Sequence, residues 1–146
     1  MTKFEPIDAR TLSITPLPPV RWLVPNLLSG GLSMLSGGSK IGKSWLCLWL
    51  CLQLAKGGEL WGRPLRAQAV LYLCLEDTYS RIQNRLFRLS EEEMPDNLYF
   101  QTVCEGLGHG LEEQIEQFLA VRPDTGLVVI DTLQKVRTSD ANGNVY

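Results

Sequence analysis

With 146 residues and 45% hydrophobic side chains, the chain suits one domain with a substantial core. Its net charge of −2 excludes the strongly basic footprint of a dedicated nucleic-acid-binding domain, while leaving room for contact through a local patch. Met1 to Arg10 lack the apolar centre of a secretion signal, and the longest apolar run, Trp45 to Leu54, is broken by Gln53 and too short to cross a bilayer. A cytoplasmic protein with no membrane partner is expected.

Residues 1–30 read as a proline-rich lead-in packed on a core of residues 31–146. Pro16, Pro18, Pro19 and Pro25 forbid a continuous helix and favour an extended segment over the domain surface, pinned by Trp22 and Leu23. Leu32 to Ser36 reads as a short strand ending in glycines. Lys43 to Lys56 is a helix stopped by Gly57 and Gly58. It is apolar nearly all round, so it is sandwiched between lead-in and sheet or lies against a neighbouring subunit; the first is favoured. Ala69 to Leu75 is apolar without alternation, the signature of a strand covered on both faces. Thr78 to Ser90 is a helix with Ile82, Leu86 and Leu89 inward, capped by Asp77 or Thr78. Leu98 to Val103 is a strand. Leu111 to Val121 is a helix buried through Leu111, Ile115, Phe118 and Leu119. Leu127 to Ile130 is a further apolar strand, ending at Asp131. Alternating strands and helices imply an α/β fold, a mainly parallel sheet with helices on both faces.

Gly37-Gly38-Ser39-Lys40-Ile41-Gly42-Lys43-Ser44 fits the pattern G-x-x-x-x-G-K-[ST] of a P-loop. Chance would produce this pattern in about one such chain in a hundred. The apolar run before it and the helix after it lower that further. A triphosphate requires backbone N–H groups aimed inward, and glycines allow the curvature. The helix adds its positive N-terminal end. Gly37 to Ser44, with Trp45 directly after, are therefore the candidate ATP contacts. Lys43 is expected to reach the β- and γ-phosphates, and the Ser44 hydroxyl to bind Mg²⁺.

In parallel sheets, ligands sit beyond the carboxyl ends of the strands. Leu127 to Asp131 has the form of a Walker B strand, with Asp131 holding the Mg²⁺ shell through water. Glu76, after the strand Val70 to Leu75, is placed to orient or deprotonate an attacking water. The blander alternative for both carboxylates is helix or turn capping. Arg81, Arg85 and Arg88 recur at helical spacing; they form a solvated face or contact phosphate. Cys47 and Cys51 share a helix face that could begin a metal site. His109 is remote, however, and no Cys-x-x-Cys occurs, so reduced core thiols are expected for these two, Cys74 and Cys104.

The ordered series is the P-loop, then Val-Leu-Tyr-Leu-Cys-Leu-Glu-Asp, an arginine-bearing helix, and Leu-Val-Val-Ile-Asp-Thr-Leu-Gln-Lys-Val-Arg. It resembles RecA-like ATPases of the RepA type, relatives of plasmid and phage replicative helicases and of the DnaB group. The resemblance covers roughly residues 16–146 and implies a RecA-like P-loop NTPase that hydrolyses ATP with Mg²⁺. It matches Glu76 to the catalytic glutamate, and Asp131, followed by Thr132, to the Walker B aspartate. It also implies single-stranded DNA as partner and a homo-oligomeric hexamer for the complete protein. Family members continue past the Walker B strand with further strands, DNA-binding loops and an arginine finger. This chain ends in Asn142-Gly143-Asn144-Val145-Tyr146, and Arg137 lies too near Asp131 to reach a neighbour. The expectation is an N-terminal part with its C-terminal strands missing. Two other readings remain: a nucleotide-binding module with weak catalysis, and a small-molecule kinase, against which stands the lack of an arginine-rich lid.

Overall fold

The computed structural model describes residues 4–137. The tail Asn142 to Tyr146 lies outside them. The central element is strand β5 (Ala69–Cys74), an unbroken apolar run whose six residues are all buried. It pairs in parallel with β6 (Leu98–Gln101) on one side and β7 (Thr125–Asp131) on the other, giving the order β6-β5-β7. Side chains alternate across a strand. Val70, Tyr72 and Cys74 therefore face one layer, and Leu71 and Leu73 the other. Coverage on both faces explains why β5 needs apolar residues at every position.

The first face carries α2 (Lys43–Lys56) and α3 (Tyr79–Leu89), through Leu48, Cys51, Leu54 and Ile82. The second carries α4 (Leu111–Val121) and α5 (Leu133–Val136), through Leu111 and Val136. The expected α/β architecture, a parallel sheet flanked by helices, is thus present. Each fully buried leucine or valine contributes about 1.5–3 kcal/mol relative to exposure. Thr78 caps α3, accepting from the Arg81 N–H at 3.3 Å. Ile82 is buried and Leu86 and Leu89 are half-buried, as the stripe requires. In α4, Leu119 is exposed rather than buried; the inward side is narrower, carried by Leu111, Ile115 and Phe118.

Two small hairpins complete α2's surroundings. One pairs β1 (Trp22–Val24) with β2 (Leu28–Ser29), the other β3 (Gly58–Leu60) with β4 (Arg63–Leu65), both antiparallel. Leu23, Val24, Leu60 and Leu65 join the same core cluster as α2. Trp61, in the turn of the second hairpin, stacks on Trp49 at 5.3 Å between ring centroids. The all-round apolar character of α2 thus has an explanation within one chain. The lead-in is anchored by Leu23 and Val24, not by Trp22, which is 45% exposed. Between Pro6 and Pro16 lies a short helix, α1 (Ala9–Ile14), capped by the Asp8 carboxylate accepting from the Thr11 N–H at 3.0 Å; none of its residues is buried.

One expected strand does not form. Leu32 to Ser36 belongs to no ladder, and Leu32, Met34 and Leu35 are 100%, 76% and 53% exposed. An extended segment becomes a strand only when a neighbour accepts and donates its backbone hydrogen bonds. Among the described residues, β7 pairs with β5 alone, and no strand pairs with residues 32–36. Apolar composition shows what such a segment prefers to bury, not what is there to bury it.

Candidate functional site

The loop before α2 follows from local backbone constraints. Gly42 stands at the N-cap with φ +95°, a conformation that L side chains rarely adopt. At Gly37 a Cβ would meet only the tip of the exposed Ile41 side chain, which can move aside, so the positive φ at Gly42 is the firmer constraint. The Lys43 ammonium donates back across this curl to the carbonyls of Gly37 at 2.8 Å and Gly38 at 2.5 Å. It is thereby held over the loop.

The carboxyl ends of β5 and β7 lie next to this loop. The Tyr72 hydroxyl, in mid-β5, donates to Asp131 Oδ2 at 2.8 Å, and the Ser44 carbonyl stands 3.5 Å from the same hydroxyl. The Ser44 backbone and the Asp131 carboxylate therefore lie on either side of one phenol. The Leu75 N–H donates to the Asp131 carbonyl at 2.8 Å, continuing the β5–β7 pairing to the strand ends. Glu76 follows directly and is exposed; its Oε1 accepts from the Thr132 hydroxyl at 3.3 Å. The peptide bond between Asp131 and Thr132 is cis.

Neither carboxylate is a helix cap. Thr78 caps α3, and α5 begins at Thr132 without a side-chain cap. Asp77, next to Glu76, is spent on ion pairs with Arg81 at 3.2 Å and Arg85 at 2.5 Å. Glu76 keeps only the hydroxyl of Thr132 among its side-chain contacts here.

Charge at the strand ends shows in the neighbouring thiols. Burial, then the Asp131 carboxylate, raises the Cys47 thiol above its ordinary value. The same two causes, with Asp77 adding to them, push Cys74 up to about 12. Burial first, and the hydrogen bond to Asp131 second, push the Tyr72 phenol far above its usual range, so it is a permanent donor. All four cysteines are free thiols.

The oxygens of Ser44 and Asp131 are hard donors of the kind Mg²⁺ takes. Among the described residues, no group of three or more His, Cys, Asp or Glu could hold a metal ion without help.

Beside the loop, Trp45, Arg81, Asn84, Arg85 and Arg88 line a hollow of about 300 Å³. The Arg85 guanidinium carbon lies 5.5 Å from the centroid of the Trp45 ring. A larger hollow at the far end of α2 is bordered by Glu59, Glu91 and Glu92, with Lys56 paired to Glu92. Spacing alone did not reveal Tyr72 or the Arg85–Trp45 contact as parts of this region. The one available signal was a phenolic hydroxyl within the otherwise apolar run Ala69 to Leu75.

A model of the AAA domain family matches residues 2–145. Among the described residues, no helix is long and apolar enough to cross a membrane.

Proposed function

The chain belongs to the AAA domain family, whose members are nucleotide-binding ATPases, and on that premise we propose that it binds ATP with Mg²⁺ and hydrolyses the γ-phosphate as a RepA-like ATPase serving DNA replication or recombination. The observation that carries this reading is the meeting of three elements at one end of the sheet. They are the loop with Lys43 over it, Asp131 at the end of β7, and Glu76 just past β5.

In this reading the N–H groups of residues 38–44 and the N-terminus of α2 hold the phosphates. Lys43 exchanges its carbonyl partners for β- and γ-phosphate oxygens. Ser44 and Asp131 would hold Mg²⁺, which neutralises phosphate charge when bound. Glu76 accepts a proton from, or orients, the attacking water, and the Thr132 hydroxyl limits its rotation. The resemblance to RepA-type ATPases supports single-stranded DNA and a hexameric ring as partners of the complete protein. A cytoplasmic location belongs to the same reading.

A second reading, a nucleotide-binding module with weak catalysis, is favoured by one observation. The segment leading into the loop has no ladder, so the sheet does not brace the loop from behind. Phosphate release with and without single-stranded DNA separates the two. Turnover stimulated by DNA supports the motor reading; tight ATP binding with negligible turnover supports the module. Failure to bind ATP at all overturns both.

A further inference from the structure

We propose that Tyr72 is a positioning residue, whose hydroxyl fixes the Asp131 carboxylate beside Ser44 so that both serve one nucleotide-bound divalent cation. This rests on the ATP and Mg²⁺ reading above and adds a residue to it.

Tyr72 is 2% exposed, in the middle of the central strand. Its ring packs in the core, 6.0 Å from Phe100 between centroids. Phenylalanine would serve that packing equally well, and a buried hydroxyl costs free energy unless it is hydrogen-bonded. Here the hydroxyl reaches past Cys74, which pairs with Asp131 in the ladder, to the carboxylate at 2.8 Å. A phenol has one proton to donate. The charged oxygen at 2.8 Å takes it in preference to the Ser44 carbonyl at 3.5 Å.

The consequence is geometric. With Oδ2 engaged, Asp131 turns its other oxygen to the cation or to water bound on it, and rotation about its last torsion is restricted. The phenol also spans the joint between β7 and the first turn of α2. It thereby holds the Asp131 carboxylate beside the Ser44 backbone, two segments far apart in sequence. Partners that orient metal ligands from behind typically affect metal affinity strongly.

The test is the coupling between Mg²⁺ and nucleotide: the ratio of the Kd for a fluorescent ATP analogue in EDTA to that in saturating Mg²⁺. Tyr72→Phe is expected to lower this ratio by about 10-fold or more. The Kd in EDTA should stay within about 2-fold, because the phosphate cradle is untouched. Asp131→Asn should lower the ratio as well, and adding Tyr72→Phe to it should change nothing further. Should Tyr72→Phe fail to fold, Tyr72→Met, which also lacks the hydroxyl, carries the same expectation. An unchanged ratio in Tyr72→Phe overturns the proposal and leaves the ATP reading standing. So does an equal loss of nucleotide affinity in EDTA, or an undiminished effect of Tyr72→Phe in Asp131→Asn. A parent chain whose nucleotide affinity ignores Mg²⁺ overturns both.

Discussion

Arg85 stacks over Trp45, the residue directly after Ser44, and so ties α3 to the first turn of the loop helix. Its guanidinium also pairs with Asp77, and the two side chains are only 18% and 11% exposed. A partly buried pair is worth more than a surface one, because its removal leaves the other charge poorly solvated. Arg85→Ala is expected to cost about 1–3 kcal/mol, from the lost stack and the weakened pair together. Arg88→Ala, on the exposed side of the same helix, should stay within about 0.5 kcal/mol. Urea unfolding of the two variants checks this; equal effects would show that α3 is held by its apolar stripe alone.

Lys43→Ala removes the ammonium held over the loop by the Gly37 and Gly38 carbonyls. The expected outcome is a loss of at least ~1.5–3 kcal/mol in ATP affinity, the scale of a charge-assisted hydrogen bond. Titration of a fluorescent ATP analogue measures it. Equal affinity for parent and variant would remove the P-loop assignment.

Glu76 and Asp131 should separate by phenotype. Glu76→Gln keeps the side-chain shape and a contact with Thr132 but cannot accept a proton. Hydrolysis should fall ~10²–10⁴-fold, with ATP and Mg²⁺ binding nearly intact. Asp131→Asn should instead weaken the Mg²⁺ dependence of binding. Single-turnover phosphate release, read beside binding titrations, distinguishes them. Parent-rate hydrolysis by Glu76→Gln would place the general base elsewhere.

The unpaired segment before the loop makes a contrasting prediction. Leu32 is fully exposed, so Leu32→Asp should change stability by no more than about 0.5 kcal/mol. Leu54, completely buried between α2 and the sheet, should cost about 2–5 kcal/mol when cut to alanine. Thermal or urea unfolding compares the two. A large loss in Leu32→Asp would mean that residues 32–36 are packed in solution.

The thiols predict an order of labelling. Burial raises all four, and below the raised folded value the protonated form predominates, so the reactive thiolate is scarce at neutral pH. Cys51, fully buried, and Cys74, at about 12, should resist iodoacetamide at pH 8 in the folded chain. Half-buried Cys47 and Cys104 should label before them. Mass spectrometry after timed quenching reads the order, and denaturant should abolish it.

What the sequence determined by itself rested on near neighbours in the chain, although α1 and the two short hairpins, local as they are, were not legible in it. The glycines around Lys43, the strongly helical run after it and the continuous apolar strand Ala69 to Cys74 each carry their own local cause. The carboxylates at residues 76 and 131 could be placed because a parallel strand has a defined carboxyl end. The tertiary structure decided the relations between distant residues: Tyr72 on Asp131, Thr132 on Glu76, Arg85 on Trp45. It also decided against Leu32 to Ser36 as a strand and Trp22 as an anchor. Hydrophobic pattern reports a residue's preference for burial, whereas burial itself and every ladder hydrogen bond require a partner that only the folded chain supplies.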